Sequence, residues 1–176
     1  MTITEFTPKA DEWTVSDLEE LPPGIRAEVH GGNLVIMSPA RLWHQHVERQ
    51  LCNILECAGR FAFTQVGVFG RPNDTRIAEV GVFHEEPDNL QESWHDPAAL
   101  ALVVEVWSPS SEDKDRNPRW YLARGIEEYW LAEPIKGEKY DALVTMCRRG
   151  RNLSGFIDYV EYRQARLSEL ERDGLG

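Results

Sequence analysis

The chain of 176 residues has no run of about 18 apolar residues, so its sequence offers no membrane-spanning helix. Its opening, "MTITEFTPKADEW", has neither the basic start nor the apolar stretch of a secretory signal. The expectation is a cytoplasmic protein with no membrane partner. Cysteine is scarce. Cys52, Cys57 and Cys147 lack metal-ligating spacing, and an odd count of 3 argues against a disulfide framework. They read as reduced thiols. Internal repeats and low-complexity tracts are absent. Positive charge is in deficit, with 19 Lys and Arg against 30 Asp and Glu and a net charge of −11. That balance opposes generic attraction to a polyanion, because nucleic-acid affinity rests on cations that release counterions. A local basic cleft, or contact through a divalent metal, stays open.

What is present suffices for one domain: 41% of the 176 residues are hydrophobic. We take residues 1–176 as that domain, with a loose arm over 1–13 and a C-terminal tail over 163–176. "TVSDLEEL" offers Thr14 or Ser16 as N-cap of a short helix that "PPG" at 22–24 stops. "IRAEVHGGNLVIMSP" alternates around Gly31-Gly32 and predicts a hairpin. Val47, Leu51, Ile54, Leu55 and Ala58 fall at helical spacing, which predicts the longest helix between Arg41 and Gly59. "FAFTQVGVFG" and "RIAEVGVF" are strands about the turn "RPNDTR", and "HEEPDNLQESWHDPAA" is a surface loop. "LALVVEVW" has the near-continuous apolar run of a central strand. "RNPRWYLARG" is a helix ended by Gly125, and "IEEYWLAEP" is the next strand, parallel to the central one. "YDALVTMCRR" and "SGFIDYVEY" add antiparallel strands. The fold class is α/β, a mixed sheet flanked by helices with hairpins at its edge.

Three acids interrupt apolar patterns: Glu28 in the hairpin, Glu79 in "IAEVGV" and Glu105 in "VVEVW". An unpaired buried carboxylate costs several kcal/mol or takes up a proton. An Arg or Lys partner is one compensation. A divalent cation is the other, since Mg²⁺ prefers carboxylate oxygens and water, and such a site can carry out metal-assisted hydrolysis. The pattern alone leaves both open.

The successive stretches "AEVHGGNLVIMSPARLWHQH", "RIAEVGVF", "VVEVWSPSSEDKDR" and "YLARGIEEYWLAEP" resemble the signatures of the Uma-type restriction endonucleases, members of the PD-(D/E)XK nuclease superfamily. The resemblance runs from about Thr14 to Pro134. It implies a restriction-endonuclease-like core, a homodimer, and hydrolysis of DNA phosphodiesters with Mg²⁺ or Mn²⁺. By resemblance Glu79 and Glu105 hold the metal, Glu28 matches an early acid, Asp115 an acid of the following helix, and His44 a polar position at the head of the long helix. The chain departs from the pattern twice. Ala78-Glu79 stands for Pro-Asp, and Trp107 stands where the superfamily has a lysine. Lys114 and Arg119 flank Asp115 and are the candidate cations; Arg119 can stabilise phosphate charge but stays protonated.

The basic cluster "CRRGR" (147–151) reads as a solvated hairpin turn, with phosphate contact beside Arg71 and Arg76 as the alternative. Trp107, Trp120, Tyr121, Tyr129 and Trp130 read mainly as core. Against the nuclease stands a second reading, a relative that keeps the fold as a dimeric binding module. A third, a pocket for a small phosphorylated or cationic ligand, has no residue that singles it out.

Overall fold

The turn at Gly31-Gly32 takes the conformation its residues invite, with φ of 55° and 83°, so both glycines occupy the left-handed region that a two-residue hairpin loop needs. Strands β1 (Ala27–His30) and β2 (Asn33–Ile36) flank it. The computed structural model describes residues 11–107 and 118–175. Ahead of the hairpin, Thr14 caps α1 (Val15–Glu19), and the Asp17 carboxylate accepts its backbone N–H at 2.7 Å. The end of the predicted arm is tied down, since Trp13 N–H donates to the Gly32 carbonyl at 2.8 Å.

The expected long helix is α2 (Leu42–Cys57), the longest among the described residues. Val47, Leu51 and Leu55 form its buried stripe, and Gly59 ends it at φ 77°. Next come β3 (Phe61–Arg71) and β4 (Asp74–Phe83), which are antiparallel. Their turn is only Pro72-Asn73, tighter than the six-residue "RPNDTR" expected, because Arg71 still pairs with Asp74.

The polar stretch at 84–99 is not wholly loop. It contributes β5 (Trp94–His95), which adds in parallel to β3 at the sheet edge, and a 3₁₀ turn at Pro97–Ala99. Its composition hid this, since two edge residues leave no periodic signal. Then follow β6 (Leu100–Val106), α3 (Pro118–Leu122), β7 (Glu128–Pro134), β8 (Ala142–Arg151), β9 (Ile157–Arg166) and α4 (Leu167–Asp173). Seven strands form one mixed sheet in the order β5-β3-β4-β6-β7-β8-β9. The β6–β7 pair is parallel as expected, and β8 and β9 are antiparallel additions.

Helices cover both faces. On one, α2 and α4 pack with Val80, Val82, Leu102, Val104 and Trp130; on the other, Trp120 and Tyr121 of α3 pack with Val103, Ile126 and Tyr129. The segment 163–176, expected to be a tail, supplies the end of β9 and all of α4, with Leu167 and Leu170 buried. Asp141 fastens α4 by accepting the Ser168 N–H at 3.0 Å and O–H at 2.8 Å. "CRRGR" is the end of β8, not a turn, and its Arg148 and Arg149 lie 3.5 Å from Glu128 of β7 and from Glu127 just before it.

The edge strand β5 seats on a glycine. A Cβ at Gly67 would lie 2.1 Å from the Ser93 carbonyl oxygen and 2.8 Å from the Trp94 ring. Backbone cannot yield as a flexible side chain does, so Gly67→Ala is expected to destabilise by about 1–3 kcal/mol. Urea unfolding measures it, and an unchanged midpoint would show that β5 is free to move.

Candidate functional site

Residues i and i+2 of a regular strand share a face. Ala78 and Val80 do not: Val80 lies on the α2 face and Ala78 on the α3 face. The paired strand shows the same exchange, with Ala62 on the α2 face and Val66 and Val68 on the α3 face. The alternation therefore breaks on both strands at one level. There the ladder passes from Thr64↔Val80 to Val66↔Ala78 and omits Gln65 and Glu79. Gln65 has φ 58°.

At that break four acids converge. The β4–β6 register pairs Val80 with Val104, and one further residue along each strand sets Glu79 opposite Glu105. Glu79 Oε2 accepts the Val106 N–H at 2.7 Å, and Oε1 lies 2.8 Å from His44 Nε2 of α2. Glu105 Oε1 accepts the Tyr121 O–H at 2.6 Å. Glu28 Oε1 accepts the Ile77 N–H at 2.6 Å, and Oε2 lies 2.5 Å from His30 Nε2. Glu48, one helical turn beyond His44, accepts a hydrogen bond from the Gln65 amide. The four acids are only 6–9% exposed, so protein groups rather than water must compensate them.

Burial, together with the neighbouring charge of Glu79, holds the Glu105 carboxyl well above the usual carboxylate range, and the Tyr121 hydroxyl offsets this in part. Burial raises Glu48 as well, against the Gln65 hydrogen bond. For His44, burial disfavours the imidazolium, but the hydrogen bond to Glu79 and its charge outweigh burial and raise the pKa.

Tyr121 is aimed by its neighbour. Trp120 donates its indole N–H to Asp74 at 2.7 Å, and its ring lies under the Arg124 guanidinium at 3.5 Å and near that of Arg76 at 4.8 Å. Asp74 also pairs with Arg124 at 2.7 Å and Arg76 at 3.0 Å. This ties α3 to the β3–β4 turn. It also commits Arg76 to a structural role instead of the phosphate contact considered from sequence.

The structure thus brings together Glu28, Glu79, Glu105 and His44. It does not bring Arg119, which is exposed on α3, two residues from Tyr121 and so directed away from the acids, with no ion pair to them among the described residues. Lys114 and Asp115 lie outside the described residues. Sequence reasoning missed Glu48, Gln65 and Tyr121 as partners. A signal existed for Glu48, because His44 and Glu48 are four apart and interrupt the stripe of Val47, Leu51 and Leu55 with polar residues. Among the described residues, no group of three or more His, Cys, Asp or Glu is arranged to hold a metal ion.

A family model described as "Putative restriction endonuclease" matches residues 15–170. The chain belongs to this family, Uma2. No curated protein matches it. The solved structures include a similar one, described as a "putative nuclease belonging to DUF820" from Anabaena variabilis. It is 15% identical with a TM-score of 0.59, covering 85% of this chain and 84% of that one. At this identity the likeness speaks for the fold, and it agrees with the mixed sheet flanked by helices described above. The acid cluster of this Uma2 chain stands on four elements of the matched region, β1, α2, β4 and β6.

Glu105 and His44 both bind protons more tightly in the folded chain than in the unfolded one, so stability is to fall as pH rises. The Glu105 contribution is complete below its ordinary value of 4.5 and is lost as pH climbs to its raised folded value. The His44 contribution starts to be lost above 6.5. Metal-free protein is expected to melt at progressively lower temperature from about pH 5 to about pH 8, with Glu105→Gln flattening the first part of that decline. A flat profile in the parent protein would contradict the upward shifts of Glu105 and His44.

Proposed function

We propose that this chain is a divalent-metal-dependent endonuclease acting on DNA, in which Glu79 and Glu105 are the residues that would hold Mg²⁺ or Mn²⁺. One observation carries the reading: two buried carboxyl groups, Glu79 and Glu105, stand opposite each other on adjacent central strands, and the charge of Glu79 helps to raise Glu105. A divalent cation would relieve the same repulsion. Hard carboxylate oxygens suit Mg²⁺, which keeps several waters and takes only one or two protein carboxylates. When bound, such an ion polarises a phosphodiester oxygen and acidifies a water.

The chain's own residues complete the reading. Tyr121 holds Glu105 in place through its 2.6 Å hydrogen bond. Glu28, held by Ile77 and His30, is assigned an assisting role beside the two ligands. With Trp107 at the lysine position, His44 lies against Glu79 and takes the role of a group that orients this carboxylate and, when protonated, offsets its charge. The reading for Lys114 and Asp115 stays as the resemblance implies, a cation and an acid brought by the segment before α3.

A second reading, the fold kept as a homodimeric binding module, has one observation of its own. The last strand of the sheet, β9, and its turn expose Phe156 (72%), Ile157 (49%) and Tyr162 (46%).

One experiment separates the two. Purified protein with Mg²⁺ or Mn²⁺ is expected to nick supercoiled plasmid, and Glu105→Ala to reduce this to background while remaining folded. Mn²⁺ at a hundredfold excess over its Kd is expected to stabilise the parent protein by about 2.7 kcal/mol. Nicking that persists at the parent rate in Glu105→Ala sinks the assignment; a tight dimer without any metal response supports the second reading.

A further inference from the structure

We infer that Gln65 is the positioning residue of the acid site: the left-handed turn of its backbone, in mid-strand, decides where the Glu79 side chain points. Gln65 is the one non-glycine residue with positive φ among the described residues. Such a conformation favours glycine, and among the others Asn and Asp. A glutamine inside an eleven-residue strand has no local reason to adopt it, so the surroundings must hold it there.

Its consequence is visible in the two strands. Upstream of Gln65, Ala62 of β3 and Val80 and Val82 of β4 face α2; beyond it Val66, Val68 and Ala78 face α3. Glu79, directly opposite, falls where the faces exchange. In an unbroken pair of strands it would share one face with Glu105 and Val103, with α2 beyond the opposite face. At the exchange it bonds the Val106 backbone and His44 of α2 together. The Gln65 amide makes an independent contribution, since it binds Glu48, which lies on α2 one turn from His44. The same residue therefore bends the strand pair and holds the polar side of α2 against the bend.

The role is backbone-borne, which allows it to be separated from the side chain. Gln65→Gly and Gln65→Asn tolerate positive φ and lose the amide's reach to Glu48. Gln65→Val favours the regular extended strand and resists positive φ. Gln65→Ala is intermediate and serves if the valine variant does not fold. The readout is hydrogen exchange of the Val106 amide, which Glu79 protects, measured against the Val104 amide as internal reference, together with the melting temperature and its response to Mn²⁺. Gln65→Val is expected to speed Val106 exchange by about tenfold or more, a tenfold change corresponding to 1.4 kcal/mol. It should do so with an unaltered or higher melting temperature, because valine suits a strand, and should lose the Mn²⁺ response. The glycine variant is expected to keep Val106 protection near the parent level, and alanine to fall between. Parent-like Val106 protection in both Gln65→Val and Gln65→Ala overturns the inference, as does equal loss in the glycine and valine variants. The metal arm rests on the reading of Glu79 and Glu105 as ligands, whereas the exchange arm needs no metal. A parent protein without Mn²⁺ response that still shows the Val106 pattern therefore defeats the metal reading and sustains this one.

Discussion

Two carboxyl groups on neighbouring strands cannot both stay charged where water scarcely reaches them. In this chain burial and the charge of Glu79 push Glu105 well above the ordinary carboxylate range, and much of the surrounding structure serves to compensate the pair. Glu79 has its two oxygens satisfied by a backbone N–H and by His44, and Glu105 is capped by the Tyr121 hydroxyl. Each partner comes from a different element, so the site cannot form until β4, β6, α2 and α3 have assembled. The acid pair is thus a product of the tertiary structure and a load on it.

The supporting parts are built from ordinary devices placed for this purpose. Asp74 gathers Trp120, Arg76 and Arg124, and the indole lies beside both guanidiniums. Gly70 makes room for this, since a Cβ there would lie 2.3 Å from Arg124 Nε and 2.6 Å from the Trp120 ring. Anchoring Trp120 orients Tyr121 beside it. On the opposite side the β1–β2 hairpin brings Glu28 to the Ile77 backbone, and Thr75 secures the hairpin by accepting the Val29 N–H at 3.1 Å. The four acids therefore sit against backbone donors, a tyrosine, an amide and histidines, while Arg76 and Arg124 pair with Asp74.

Local physics made most of the elements legible in the sequence. The Gly31-Gly32 hairpin, the stripe of α2, the apolar run of β6 and the order strand, helix, strand through β7 follow from periodicity and turn chemistry, which act over a few residues. The short β5 edge and the structural role of α4 were not legible. A two-residue strand has no period, and the helix is recognisable as core only once Leu167 and Leu170 have something to pack on. The acids Glu28, Glu79 and Glu105 announced themselves by interrupting apolar patterns, but the sequence left their compensation open. The structure answers with hydrogen bonds and a histidine, and does not supply the expected Arg119.

Sequence by itself determined the family, the mixed α/β fold and the burial of Glu28, Glu79 and Glu105, because each of these rests on patterns of neighbouring residues or on motifs read in order. Only the tertiary structure decided that Glu79 and Glu105 face each other, that His44 and Tyr121 are their partners, and that the strand faces exchange at Gln65. Those facts depend on the register between strands far apart in the chain and on a left-handed backbone at a residue whose type does not call for it. No local preference of glutamine encodes that turn; the packing of two faces around it does.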